Sequence, residues 1–144
     1  MYKDFEKKTL AEVLKSGQIT APAFFDGISV RTIELSGYEG CILSGTALSY
    51  VMNGVPDIGM LNAEEVIYMT NRMTNYTPLP VIVDADVLGE TTSAVWLNVM
   101  RLAKSGADAV VVSDAVPGFG EDRKFDKSYK ASVASKELFL QKIK

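Results

Sequence analysis

Residues 80–86 read Pro80-Val81-Ile82-Val83-Asp84-Ala85-Asp86, and the fold turns on how that stretch is understood. Three consecutive β-branched residues with no polar alternation predict a strand buried on both faces, the habit of parallel sheets. Two carboxylates stand where that strand ends. In α/β folds the carboxyl ends of strands are where sites are built. Asp84 and Asp86 lie two residues apart and point to the same side, so their charges repel unless a cation or a proton lies between them. The pair fits a divalent-metal or acid–base site, and it equally fits two solvated acids opening a loop.

The flanking sequence repeats the strand-and-helix theme. Upstream, Thr9 is a helix N-cap candidate, with Leu10, Val13 and Leu14 at helical spacing and Gly17 as terminator. Ile19–Phe25 is a strand candidate turned by Asp26-Gly27, and Ile28–Ser36 is a helix closed by Gly37. Cys41–Gly45 reads as a short buried strand running into a small-residue turn, with Cys41 in the core. Thr46–Met52 is a short helix stopped by Asn53-Gly54. Asn62 with Glu65 three residues on starts another helix, whose apolar stripe is Val66, Met69 and Met73. Downstream, a helix opens at Thr91 or Thr92, carries Val95, Val99 and Leu102, and ends at Gly106. Trp96 sits on its outer side, read as a packing residue or a contact with a missing neighbour rather than a ligand platform. Ala109–Val112 is a further apolar strand with Ser113-Asp114 at its carboxyl end. A polar segment from Ala115 to Ala131 is read as a long loop, and Val133–Lys144 as a last helix. Four βα units in this order imply a parallel sheet with right-handed crossovers.

Composition narrows the chemistry. The 144 residues are 47% hydrophobic and 23% charged with a net charge of −3, ordinary for a globular domain. Mixed charge gives no nucleic-acid groove and no attraction to an anionic membrane. No apolar run approaches the roughly 18 residues of a membrane span, and the charged start Met1–Lys8 lacks a signal-peptide core. A single cysteine excludes a disulfide framework and points to a reducing, cytoplasmic setting. Histidine is absent, which removes Ser-His-Asp triads, Cys-His dyads and zinc–histidine sites. Carboxylates, lysine, hydroxyls or a hard metal must carry any chemistry.

An ordered set of segments resembles the phosphoenolpyruvate mutase/isocitrate lyase superfamily. The segments are Ile42-Leu-Ser-Gly-Thr-Ala-Leu-Ser, Val55-Pro-Asp-Ile-Gly-Met-Leu, Pro80-Val-Ile-Val-Asp-Ala-Asp and Gly106-Ala-Asp-Ala-Val-Val-Val-Ser-Asp, in register from about Thr9 to Lys144. The resemblance implies a (β/α)8 barrel that rearranges or cleaves 2-oxo acids through enolates with Mg²⁺ present. It further implies that Ser44, Gly45 and Thr46 hold the substrate's carboxylate and oxo group, that Asp57 is the acid beside the substrate, and that Asp84 and Asp86 serve the metal. A hard cation and backbone N–H groups would stabilise the enolate oxygen.

The sequence departs from that pattern in several places. A full barrel takes about 250 residues, and here four βα units and one helix are expected, a half-barrel domain spanning residues 1–144. The family's Glu-Asp at the end of strand four is Ser113-Asp114, leaving Asp114 or Glu90 as the acids to make up the metal set. The turn after Asp86, Val87-Leu88-Gly89, is one residue shorter than the family's. The lyase branch carries a Cys-Gly-His loop, where this chain has Gly118-Phe-Gly-Glu-Asp-Arg-Lys-Phe, so isocitrate-lyase-type chemistry is not expected. Lys124 in that loop is a candidate cation gating the substrate, or a solvated lysine.

The leading expectation is therefore a Mg²⁺-dependent lyase or mutase for a small 2-oxo acid or phosphonate, such as a phosphoenolpyruvate mutase, phosphonopyruvate hydrolase or oxaloacetate decarboxylase. The alternative is an inactive half-barrel with a binding or structural role, or a fragment of a full-length enzyme. Open edge strands and an uncovered sheet face lead us to expect a homodimer or higher homo-oligomer.

Overall fold

A computed structural model describes residues 6–57, 59–85, 88–89, 91–114 and 133–143. Helix α1 (Leu10–Val13) runs into a 3₁₀ turn at Leu14–Ser16. Then follow β1 (Ala23–Phe24), α2 (Gly27–Leu35), β2 (Cys41–Leu43), α3 (Gly45–Asn53), α4 (Ala63–Thr74), β3 (Val81–Asp84), α5 (Thr92–Lys104), β4 (Ala109–Val111) and α6 (Lys136–Ile143). The strands form one sheet in the order β1-β2-β3-β4, and every neighbouring pair is parallel. The expected α/β alternation and parallel sheet are present. None of the described helices is long and apolar enough to cross a membrane.

The helix starts follow from short polar side chains that accept a backbone N–H before each apolar run. Asn62 with Glu65 forms the expected reciprocal capping box, and Thr9, expected as an N-cap, proves to form a second one with Glu12. Thr91 caps α5 by accepting from the Ala94 N–H. Asp26, expected in a turn, is instead the N-cap of α2 and pairs reciprocally with Ser29. Gly54, in the left-handed conformation at φ 67°, terminates α3.

Strand register determines what is covered. Cys41 sits opposite Val81 and Leu43 opposite Val83, and Phe24 lies beside Leu43. These five side chains are fully buried and join Val30, Ile33, Leu48, Val66, Val95 and Leu102 from the helices in one core. The alternate residues Ala23, Ile42, Ile82, Ala109 and Val111 share the opposite face, since side chains alternate along a strand. That face is partly open, and Val111 is 44% exposed. Burial on both faces, expected from the unbroken apolar runs, is thus found on one face only. Among the described residues the helix side chains of the core pack against the Cys41, Leu43, Val81 and Val83 face, and the other face has the composition of a barrel's inner wall.

Two elements differ from the sequence reading for clear reasons. The first strand is two residues long rather than Ile19–Phe25, because Pro22 has no N–H to give and β1 pairs only with β2. The Pro22 carbonyl still accepts from the Ile42 N–H at 3.0 Å. In α4 the fully packed stripe is Val66, Thr70 and Thr74, with Met69 and Met73 partly buried beside it. Threonine fits there because each hydroxyl has an acceptor within the core. Thr70 donates to the Val66 carbonyl at 2.8 Å, and Thr74 donates to the Ser105 carbonyl at 2.6 Å, tying α4 to α5. An ion pair between Glu64 and Arg101 joins the same two helices.

At the amino ends of the strands, the Asp108 carboxylate accepts from the Val81 N–H at 3.0 Å and pairs with Lys7 at 2.9 Å. Lys7 also donates to the Gly106 carbonyl at 2.9 Å. Gly106 has φ +93°, and a Cβ there would lie 2.7 Å from Thr74 Oγ1 and 2.9 Å from Thr74 Cβ. Gly106→Ala therefore combines a disfavoured dihedral with a clash against a packed side chain. We expect it to lower stability by more than about 1 kcal/mol, read as a lower urea midpoint by circular dichroism; an unchanged midpoint would mean that the α5–β4 turn relaxes freely.

Candidate active site

The carboxyl ends of β2 and β3 adjoin. Because Leu43 pairs with Val83, Ser44 and Asp84 are the next positions of neighbouring strands. Asp84 also partners Val111 on β4, and the following Ala85 N–H donates to the Val111 carbonyl at 3.2 Å. Alternation puts Asp84 on the open face with Ile82 and Val111.

Ser44 closes β2 and opens α3. Its N–H donates to the Phe24 carbonyl at 3.0 Å, and its Oγ accepts from the Ala47 N–H at 3.2 Å. The Leu48 N–H makes the first intrahelical bond, to the Ser44 carbonyl. Gly45 and Thr46 are the first two residues of α3, so their N–H groups belong to the set that a helix leaves without intrahelical acceptors. Gly45 is buried and Thr46 exposed. The Thr46 hydroxyl donates to Asp57 Oδ2 at 2.8 Å. Asp57 reaches this point because the chain reverses at Gly54 and returns along α3, where the buried Ser49 hydroxyl donates to the Pro56 carbonyl at 3.1 Å.

Ser44, Gly45, Thr46 and Asp57 thus gather at the start of α3, with Asp84 at the end of the adjacent strand. Asp114 is exposed beyond β4, and its carbonyl accepts from the Ala134 N–H at 2.7 Å. Asp86, Glu90 and Lys124 lie outside the described residues, as does the expected loop from Ala115 to Ala131. Among the described residues no group of three or more Cys, Asp and Glu side chains is placed to hold a metal. The described part of the expected metal set is Asp84 and Asp114.

Sequence reasoning did not find Ser49. The available signal was a polar residue inside the apolar run Ala47-Leu48-Ser49-Tyr50-Val51, three residues after Thr46 and so on the same helix face.

Two nearby groups have other duties. The Asp26 carboxyl is held below its ordinary range, first by the Ser29 N–H and then by the Ser29 hydroxyl, which commits it to capping α2. Cys41 stands at the far end of β2, and burial pushes its thiol up to about 12. It is core, as expected, and not a nucleophile.

Residues 10–144 match the family of phosphoenolpyruvate phosphomutase. The chain belongs to that family. It is 30% identical over 112 residues to an oxaloacetate decarboxylase of Paraburkholderia xenovorans, covering 77% of this chain and 38% of that protein. A 2-methylisocitrate lyase of Salmonella typhimurium is 34% identical over 104 residues, covering 72% and 34% respectively. A phosphonopyruvate hydrolase solved with oxalate and Mg²⁺ superposes with a TM-score of 0.77 at 26% identity, covering 93% of this chain and 44% of that one. The chain thus spans less than half the length of these relatives. Its sheet and helices are four βα units of the TIM-type barrel of the phosphoenolpyruvate mutase/isocitrate lyase superfamily.

The Cys41 environment carries a pH consequence. Its folded pKa lies above the unfolded value of 9.0, so the folded state keeps a proton that the unfolded state releases. The associated stability is fully present below pH 9.0 and is lost as pH rises toward about 12. We expect native Cys41 to resist a disulfide reagent at pH 8 and to react at once in denaturant; prompt reaction of the native chain would contradict its burial.

Proposed function

We propose that this chain provides the carboxylate and substrate-binding half of a Mg²⁺-dependent enzyme of the lyase or phosphonomutase type. Its substrate would be a small 2-oxo acid or phosphonate whose C–C or P–C bond is cleaved or rearranged through an enolate. The observation that carries this reading is the start of α3, with its two N–H groups and the adjoining Asp57, set beside the Asp84 strand end. In this reading the N–H groups of Gly45 and Thr46, with the helix's positive end, receive the substrate's carboxylate and oxo oxygens, and Ser44 fixes that helix end. Asp57 is the acid–base group beside the substrate, and Lys124 is a cation brought by the loop.

The donor chemistry fits Mg²⁺, which takes one or two carboxylates and fills its shell with water and substrate oxygens. Asp84 and Asp86 would hold it, with Asp114 as a further acid. A cation there supplies positive charge to the substrate oxygen that becomes the enolate. Support comes from the phosphonopyruvate hydrolase relative, solved with oxalate and Mg²⁺. With no histidine in the sequence, proton movement falls to carboxylates and lysine.

A second reading has its own support. Ser113 stands where the resemblance expects a glutamate, and the open sheet face leaves the site half-walled. On that reading the chain is a binding or structural half-barrel without turnover. Under either, we take residues 1–144 as one half-barrel domain in a cytoplasmic setting. Two copies about a two-fold axis would close eight strands and cover Ile42, Ile82 and Val111.

Calorimetry with Mg²⁺ and oxalate tests the site. Uptake should be weak, fall at least about tenfold in Asp84→Ala and tighten in Ser113→Glu; equal binding by Asp84→Ala and the unchanged chain would remove Asp84 from the site. Sedimentation equilibrium at micromolar concentration tests the assembly. The expected species is a dimer or larger, and a folded monomer that binds no hydrophobic dye would refute it.

A further inference from the structure

We infer that Thr46 and Ser49 act as a pair of positioning residues that deliver Asp57 to the site, Ser49 by fixing its backbone and Thr46 by orienting its carboxylate. The inference rests on the proposed role of Asp57 beside the substrate. It assigns Thr46's hydroxyl a duty other than direct substrate contact.

Asp57 is eleven residues beyond Thr46 and on the far side of a chain reversal. Left to itself, a short segment after a helix stop offers many conformations, and a carboxylate on it has no fixed direction. Two hydroxyls on one face of α3, at positions 46 and 49, remove that freedom. Ser49 is fully buried, and its donation to the Pro56 carbonyl satisfies both groups while holding the residue immediately before Asp57 against the helix. Thr46, one turn nearer the helix start, then donates to Oδ2. Among the described residues no hydrogen bond reaches Oδ1, so that oxygen is the one presented to a ligand.

Proton bookkeeping separates positioning from contact. A threonine hydroxyl has a single proton to donate. With that proton on Asp57 Oδ2, Thr46 has none for a substrate oxygen, and its hydroxyl works through the carboxylate. Its backbone N–H remains available at the helix start.

The test uses the full chain and two independent readouts. Side-chain three-bond NMR couplings report the χ1 populations of Asp57 with no ligand present. The unchanged chain and Thr46→Ser should hold a single rotamer, and Thr46→Val, which keeps the volume and loses the proton, should average over at least two. A Thr46→Val chain that melts at the same temperature and keeps one rotamer overturns the inference. In calorimetry with Mg²⁺ and oxalate, Thr46→Val and Asp57→Asn should each weaken binding about tenfold, and the double variant no further, because one coupled unit is lost once. Thr46→Ser should restore affinity, and Ser49→Ala should lose part of it. Additive losses at Thr46 and Asp57 would make them separate contacts and overturn the pair. If the unchanged chain takes up no oxalate, the functional reading fails, and the couplings alone decide the role of the two hydroxyls.

Discussion

The structure depends on the pairing of β2 with β3, in which Cys41 faces Val81 and Leu43 faces Val83. Burying these four side chains against the helices fixes which residues look the other way. Because strand side chains have a period of two, a slip of one residue would expose Leu43 and Val83 and drive Asp84 into the apolar core. The cost of burying an unpaired carboxylate there makes the register close to compulsory. Ser44 and Asp84 adjoin for that reason, and the start of α3 stands at the strand ends because Ser44 both finishes a strand and caps a helix.

Much of this was legible in the sequence. The alternation of elements, the apolar strand around Val81–Val83, the caps at Thr9, Asn62 and Thr91, and the stop at Gly54 follow from local chemistry with one physical solution each. What escaped depends on partners far along the chain. Thr70 and Thr74 belong to the core because carbonyls await their hydroxyls, and one of those carbonyls, at Ser105, is 31 residues away. An unbroken apolar strand reads as covered on both faces, yet Val111 and Ala23 are exposed because cover depends on which elements surround the sheet. At the site, the family resemblance nominates Asp57. That Thr46 engages it, and that Ser49 sets the loop, follow from the reversal at Gly54 and not from any motif.

The described carboxyls near the strand carboxyl ends are Asp26, which is committed to capping α2, and Asp57, Asp84 and Asp114. Such a mouth holds negative potential, which raises the local concentration of divalent cations and opposes an anionic substrate arriving alone. The N–H groups at the start of α3 offset this only within a turn's reach. Under the proposed function, metal and acid substrate would therefore enter as mutually reinforcing ligands, each reducing the electrostatic cost of the other.

The opposite end of the sheet constrains how the chain is made. Lys7 contacts the Gly106 carbonyl across 99 residues of sequence and pairs with Asp108. During synthesis its partners emerge only after three strands have left the ribosome. Lys7 therefore lacks both of these partners until Asp108 has been made, and its docking closes a loop of 99 residues at a high entropic cost. Order at Lys7 is thus a record of completed folding at the amino end of β4, and loss of protection there would be an early sign that β4 has come away.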